Sequence, residues 1–150
     1  MKAHFVCTGN IFRSRLAESY FNFLLSQSNR SDITVTSSGV MAKSNQWGDI
    51  GWFAHELLKN DNLLSFASPH WTQTTPEILQ SQDMVIFMQS FHLHYCQKHF
   101  QYTGTNHQVW NIPDIEPDMT DTELLDHATT QFVTIKAQCH HLLTLLIPPS

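Results

Sequence analysis

The stretch of sequence that decides the fold reads Val6-Cys7-Thr8-Gly9-Asn10-Ile11-Phe12-Arg13-Ser14. It follows a short β-type run, His4-Phe5-Val6, and from Ser14 onward apolar residues recur at the spacing of a helix with one buried face. A strand that ends abruptly in a turn and leads into a helix is typical of a parallel α/β sheet. Because such sheets form their sites at the carboxyl ends of strands, we expect a functional site at Cys7.

The residue types in this turn predict a loop that binds phosphate. Successive backbone N–H groups can surround an anion, and we expect Gly9 to help by adopting a positive φ. The helix adds the positive end of its dipole, and the Arg13 guanidinium can hold two phosphoryl oxygens at once. The same donors stabilise a thiolate at Cys7, which is the predicted nucleophile. The predicted phosphate-binding residues are Thr8, Gly9, Asn10, Ile11, Phe12, Arg13 and Ser14.

Further along the chain, short apolar strands alternate with helical segments. We predict further strands at residues 32–36, 84–88 and 107–110, and helices at 47–58, 76–79, 91–100 and 121 to about 146. Thr120 or Asp121 can cap the last helix. This alternation predicts a single doubly wound α/β domain over residues 1–150, with a mostly parallel sheet of roughly four strands and helices on both faces.

Composition and charge exclude several classes of function. The 150 residues carry a formal net charge of −5 and only 14% charged side chains, and no basic stripe of the kind that binds nucleic acid is present. No apolar stretch is long enough for a signal segment or a membrane span, so we expect no membrane association. The three cysteines are odd in number and lack framework spacing, which favours a reducing, cytoplasmic compartment.

The motif Val6 to Ile11 with Arg13-Ser14, followed by Leu16-Ala17-Glu18, resembles the low-molecular-weight protein tyrosine phosphatases. The order of predicted elements agrees with that family along nearly the whole chain. The resemblance implies a cysteine-dependent phosphatase without a cofactor or metal, acting through a phosphocysteine intermediate. The implied substrate is a phosphotyrosine protein or a small phosphomonoester, and the implied state is a monomer or weak dimer.

The same resemblance assigns supporting roles outside the loop. It implies that Asn10, Ser14, Ser38 and His70 form a hydrogen-bond network that fixes the loop. The family often carries aromatic residues after its acid as walls of the substrate pocket. Ile115 and Glu116 replace them here, and we expect Trp47 to supply one wall instead.

Two positions depart from the pattern of the family. Phe12 stands where many members have a second cysteine, so no disulfide between positions 7 and 12 can form. Arg15 replaces a frequent proline, a change that we expect to matter little.

The departing oxygen of a phosphate ester needs a proton, so a carboxylic acid should overhang the loop. Asp114 is the predicted acid, on a loop stiffened by Pro113 and Pro117. Asp118 is the alternative, because the Asp-Pro dipeptide of the family is broken here between the two aspartates.

Three other functions are open to the sequence. A thiol-dependent arsenate reductase of the same fold shares the loop. The resemblance implies that its chemistry passes through two further cysteines placed close together, whereas here the only other cysteines are Cys96 and Cys139, far apart in the sequence. A phosphate-binding module would need neither nucleophile nor acid. A metal protein is suggested by ten histidines, yet none forms a recognised ligand pattern, and we expect His92, His94 and His99 to lie on the surface.

Overall fold

The computed structural model describes residues 1–146, and a parallel sheet lies at its centre. The strands are β1 (Lys2–Cys7), β2 (Thr34–Gly39), β3 (Met84–Phe87) and β4 (His107–Val109). Their order across the sheet is β2-β1-β3-β4, and all three neighbouring pairs are parallel. The predicted α/β fold with a parallel, four-stranded sheet is confirmed.

Helices cover both faces of this sheet. They are α1 (Arg13–Gln27), α2 (Trp52–Asn60), α3 (Pro76–Gln80), α4 (Ser90–His99) and α5 (Asp121–Leu145), with single 3₁₀ turns at Ala42–Ser44 and Leu64–Phe66. The larger apolar cluster packs α1, α2 and α5 against alternate residues of β1, such as Phe5. A smaller cluster packs α3 and α4 against the other face, where Val6 lies. Among the described residues, no helix combines the length and apolar character needed to cross a membrane.

The long last helix follows its prediction closely. Thr120 is its N-cap, and the Thr120 side chain and the Glu123 side chain bond reciprocally to each other's backbone N–H groups. Its buried positions repeat at helical spacing: Leu124, Ala128, Phe132, Ile135, Cys139 and Leu142. This amphipathic pattern with a clear cap explains why the sequence alone located the helix.

The predicted boundaries of two elements, α2 and β2, are wrong. Helix α2 begins at Trp52 and not at residue 47, because Gly48 has a φ of +79° and Gly51 is extended. The Gly51 N–H instead donates to the carbonyl of Ile11, which ties the 45–51 segment to the loop after β1. Strand β2 runs from Thr34 to Gly39, so it begins two residues later and ends three residues later than the predicted range of 32–36.

Candidate active site

The loop between β1 and α1 surrounds the sulfur of Cys7. This side chain is only 2% exposed and lies at the carboxyl end of β1, as predicted. The Asn10 N–H donates to Cys7 Sγ at 3.3 Å, and Ser14 Oγ lies 2.9 Å from the same sulfur. Both groups can donate to a thiolate, and α1 begins at Arg13 with its positive end facing the loop.

Asn10 gives the loop its sharp bend. Its φ is +54°, whereas Gly9, expected to supply the positive φ, is not in the left-handed region. The Asn10 Nδ2 donates to Ser14 Oγ at 2.7 Å and to Ser37 Oγ at 2.9 Å, and its Oδ1 accepts from the Thr72 N–H at 2.8 Å. These bonds hold an unfavourable backbone conformation in place.

Ser38 is buried but makes no hydrogen bond to Asn10. Its Oγ lies 2.7 Å from His4 Nε2 and 2.6 Å from Thr74 Oγ1. Adjacent residues of a strand point to opposite faces, so Ser37 meets the loop while Ser38 faces away. The expectation that Ser38 belongs to the loop network is therefore wrong: Ser37 bonds to Asn10 in its place. Ser38 instead joins β2 to β1 and to the 72–74 segment.

His70 lies outside the network. Its side chain is 72% exposed, and its Nδ1 lies 3.0 Å from Asp49 Oδ1 at the surface. The reason is the pairing of the following segment: the Gly39 N–H donates to the Thr72 carbonyl and the Thr74 N–H to the Gly39 carbonyl. That pairing brings the main chain of Thr72, and not the ring of His70, to the loop.

Arg13 is held in place from several directions. Its Nη1 donates to Gln89 Oε1 at 2.5 Å and to the Ile112 carbonyl at 2.8 Å, and its Nη2 donates to Thr8 Oγ1 at 3.2 Å. The same Nη2 lies 3.2 Å from Asp114 Oδ2. Within residues 1–146 its buried Nε has no hydrogen-bond partner. The guanidinium is therefore oriented before any anion binds.

His92 belongs to this arrangement, although the sequence placed it on the surface. It is fully buried, and burial together with the charge of Arg13 lowers its pKa to about 3, so the ring is neutral. Its Nδ1 accepts from the Gln89 N–H at 3.1 Å, which leaves the proton on Nε2 to be donated to Thr8 Oγ1 at 2.8 Å. The Gln89-x-x-His92 spacing at the start of α4 is the pattern that could have revealed it.

A cavity of about 370 Å³ opens above Cys7 and contains both predicted catalytic partners. Arg13 and Asp114 line it, and the Asp114 Oδ1 accepts from the Ile115 N–H at 2.8 Å. Asp118 is exposed and is not among the lining residues. The geometry thus favours Asp114 over Asp118 as the group that can reach a phosphate ester bound at Cys7.

The outer walls of the cavity are largely apolar. Trp47 lines it and is 41% exposed, with its ring packed edge-on against Phe53 at 5.3 Å between centroids. The other apolar residues of the lining are Ile11, Phe12, Met41 and Ile115, and the polar residues Ser44, Asn45 and Gln46 lie beside Trp47. Among residues 1–146 no cluster of three or more histidines, cysteines or acidic residues could hold a metal ion.

A buried cysteine whose sulfur has a backbone N–H and a serine hydroxyl beside it, with an oriented arginine and a carboxylic acid in the same cavity, defines a cysteine-dependent phosphatase. The family model for low molecular weight phosphotyrosine protein phosphatases matches residues 2–146. The chain belongs to this family of hydrolases. No curated protein matches it significantly in sequence.

Several solved structures share the fold. The low molecular weight protein tyrosine phosphatase from T. tengcongensis is 23% identical, with a TM-score of 0.79 over 97% of this chain and 99% of that one. The Streptococcus pyogenes enzyme SP-PTP is 21% identical, with a TM-score of 0.76 over 98% and 93%. The drosophila arginine phosphatase DARP is 18% identical, with a TM-score of 0.79 over the whole of both chains.

Proposed function

We propose that this phosphatase hydrolyses phosphomonoesters, above all protein phosphotyrosine, through a phosphocysteine intermediate. The observation that carries the proposal is the shared cavity of Cys7, Arg13 and Asp114, with two donors within 3.3 Å of the Cys7 sulfur. The loop N–H groups and Arg13 bind three phosphoryl oxygens, and the unpartnered Nε of Arg13 gains an acceptor.

The reaction proceeds in two displacements. The Cys7 thiolate attacks phosphorus, the ester P–O bond breaks, and the protonated Asp114 carboxyl gives its proton to the departing oxygen. Asp114 then takes a proton from water, which attacks phosphorus and breaks the P–S bond. The Ser14 hydroxyl, 2.9 Å from the sulfur, stabilises the thiolate as it leaves.

The substrate preference rests on the outer walls. Trp47, Met41 and Ile115 present apolar surface above the phosphate site, and this surface suits the ring of phosphotyrosine better than a hydrophilic sugar phosphate. The protein acts as a single domain, as a monomer or weak dimer. Its three free thiols fit the reducing conditions of the cytoplasm.

Arsenate reduction fits the remaining cysteines poorly. A relay needs thiols that reach the arsenic-bearing sulfur, but neither Cys96 nor Cys139 lines the cavity. Cys96 packs in the smaller apolar cluster, and burial raises its pKa to about 12. Burial also raises the pKa of Cys139 well above its usual value. Thiols that remain protonated are weak nucleophiles for such a relay.

The first experiment measures hydrolysis of p-nitrophenyl phosphate at mildly acidic pH with a chelator present. We expect turnover by the wild type and none by Cys7→Ser, with inorganic phosphate still bound by the variant. Peptides carrying phosphotyrosine, phosphoserine or phosphoarginine then test the substrate class, and phosphotyrosine should give the highest kcat/KM. A fully active Cys7→Ser enzyme would contradict the reaction, and a preference for another peptide would contradict only the substrate.

A further inference from the structure

A second arginine lies beneath the phosphate loop. Arg15 follows Ser14 in the first turn of α1, at the position where the family frequently has proline, and its side chain is only 1% exposed. Its Nη1 donates to the carbonyl of Asn10 at 3.1 Å and to that of Asp49 at 2.7 Å, and its Nη2 donates to the carbonyl of Ser68. This buried and hydrogen-bonded setting speaks against the expectation that the replacement matters little.

Glu18 completes this buried group. Its Oε2 lies 3.8 Å from Arg15 Nε, and its carboxylate accepts from the Ser68 hydroxyl at 2.6 Å and the Ser68 N–H at 3.3 Å. Arg15 and Glu18 together join α1 to the phosphate loop, the 45–51 segment and Ser68. These partners lie up to 53 residues away in sequence, so no local pattern could have revealed the role of Arg15.

The bond to Asn10 is the one that bears on the reaction. The Asn10 peptide nitrogen donates to Cys7 Sγ, while the carbonyl of the same residue points to Arg15. The carbonyls of Thr8, Asn10 and Ile11 face out of the loop toward donors, and a buried carbonyl needs such a donor. Arg15 supplies that donor at the residue with the left-handed φ of +54°.

The charge of Arg15 acts at the same place. Burial lowers the pKa of Arg15, while the negative charges of Glu18, Cys7 and Asp49 oppose this change, in that order of size. A guanidinium stays protonated in such surroundings. Arg15 therefore keeps a positive charge behind the loop that contains Cys7.

We propose that Arg15 is a positioning residue for the phosphatase reaction: by binding the Asn10 carbonyl it holds Asn10 in the left-handed conformation that directs the Asn10 N–H to the Cys7 sulfur, and it adds a buried positive charge behind the loop. This inference rests on the proposed function for its meaning in catalysis. Its two elements can nevertheless be measured without turnover, as phosphate affinity and as the reactivity of Cys7.

The test compares Arg15→Met, Arg15→Lys and a matched control, Arg30→Met. Arg30 also pairs with a carboxylate, that of Asp32, and donates to a backbone carbonyl, that of Leu146, but none of its hydrogen bonds reaches the phosphate loop. Three quantities are measured for each protein: the pH midpoint of Cys7 alkylation by iodoacetamide, the inhibition constant of inorganic phosphate, and the thermal unfolding midpoint. Mass spectrometry confirms that Cys7 is the alkylated residue.

For Arg15→Met we expect the alkylation midpoint to rise by about one pH unit, the size of effect that follows from removing a nearby buried charge. We expect phosphate binding and kcat/KM to fall by about tenfold or more, the loss associated with one charge-assisted hydrogen bond. Arg15→Lys keeps the charge but not the planar fork, so its alkylation midpoint should stay near that of the wild type while its phosphate affinity falls. Arg30→Met should change thermal stability alone.

Arg15→Met protein with the wild-type alkylation midpoint and phosphate affinity would overturn the proposal, even if it unfolds at lower temperature. Should Arg15→Met fail to fold, Arg15→Lys decides: phosphate affinity and kcat/KM equal to those of the wild type would refute the positioning role. A wild type that binds phosphate but hydrolyses no ester would refute the proposed function, and the alkylation and phosphate measurements would still decide the role of Arg15.

Discussion

Several residues in this protein have roles that their residue types alone do not predict. Asn10 adopts a conformation usually left to glycine, at a cost of about 1–2 kcal/mol, because its side chain bonds to three neighbours that fix it there. His92, which resembled a surface histidine in sequence, is buried and neutral and orients Thr8. In both cases the partners, and not the residue type, define the role.

The acid can be identified by comparing the two aspartates. Asp114→Asn should lower kcat for phenyl phosphate by about 100-fold or more, because phenoxide is a poor leaving group when no acid protonates it. Hydrolysis of p-nitrophenyl phosphate should fall much less, since that leaving group needs little protonation. Asp118→Asn is the matched control and should behave like the wild type. The assignment of the acid is wrong if the two variants exchange these behaviours.

At the scale of elements, the strand–loop–helix unit at the start of the chain could be predicted because its residues are contiguous. The partners of that loop could not, since they depend on register. Side chains alternate between the two faces of a strand, so a shift of one residue in β2 decides whether Ser37 or Ser38 faces the loop. The pairing of the 72–74 segment with Gly39 decides that Thr72, and not His70, reaches the loop. The start of α2 was missed because backbone conformation at Gly48 and Gly51 overrides an apolar pattern.

Gly39 at the end of β2 is required by close packing. A Cβ there would lie 2.6 Å from the Asn10 nitrogen and from the Thr8 carbonyl oxygen, so the loop would have to shift. Gly39→Ala should weaken phosphate binding by about tenfold or more and cost about 1–3 kcal/mol of stability. The measurements are phosphate inhibition and urea unfolding.

Gly104→Ala provides the control for Gly39→Ala. Its Cβ would lie 2.6 Å from the Tyr102 hydroxyl, a clash of the same size that does not involve the phosphate loop. It should reduce stability and preserve phosphate binding. Equal phosphate affinity in both variants would show that the contact of Gly39 with the loop has no functional weight.

His4 in β1 makes stability depend on pH. Burial lowers its pKa to about 3, below the ordinary value of 6.5. Between these values the unfolded chain binds a proton that the folded chain excludes, so stability falls as pH decreases from 6.5 towards 3, by up to about 1.4 kcal/mol per pH unit. In the His4→Gln variant, the free energy of unfolding measured with urea should fall less steeply over this pH range than in the wild type.

The exposed His55 gives the matched control for this measurement. His55→Gln should retain the steep wild-type loss of stability below pH 6.5. A His4→Gln profile parallel to that of the wild type would mean that His4 already carries its charge in the folded protein.

At the scale of the whole molecule, the distribution of charge disfavours the binding of acidic partners. The net charge is −5, and acidic side chains follow one another from the cavity into α5: Asp114, Glu116, Asp118, Asp121 and Glu123. Phosphotyrosine peptides with acidic flanks should therefore show a kcat/KM about three- to tenfold lower than basic peptides at low salt. The difference should shrink at high salt, because screening reduces interactions between exposed charges.

Glu116→Gln combined with Asp118→Asn should narrow the gap between acidic and basic peptides, while leaving hydrolysis of p-nitrophenyl phosphate unchanged. Both side chains are exposed and outside the cavity lining, so they act only through their charge. Equal rates for the two kinds of peptide at low salt would count against an electrostatic preference.

Phe12 determines how Cys7 is reduced again after it has been oxidised. Its buried ring packs against Phe53, 5.4 Å between centroids, where a thiol could have met an oxidised Cys7. With Cys96 and Cys139 buried away from the cavity, recovery from the sulfenic acid cannot be an internal, first-order step. Reactivation should instead be second order, with a rate proportional to the concentration of added glutathione, and activity after peroxide exposure should follow the thiol supply of the surroundings.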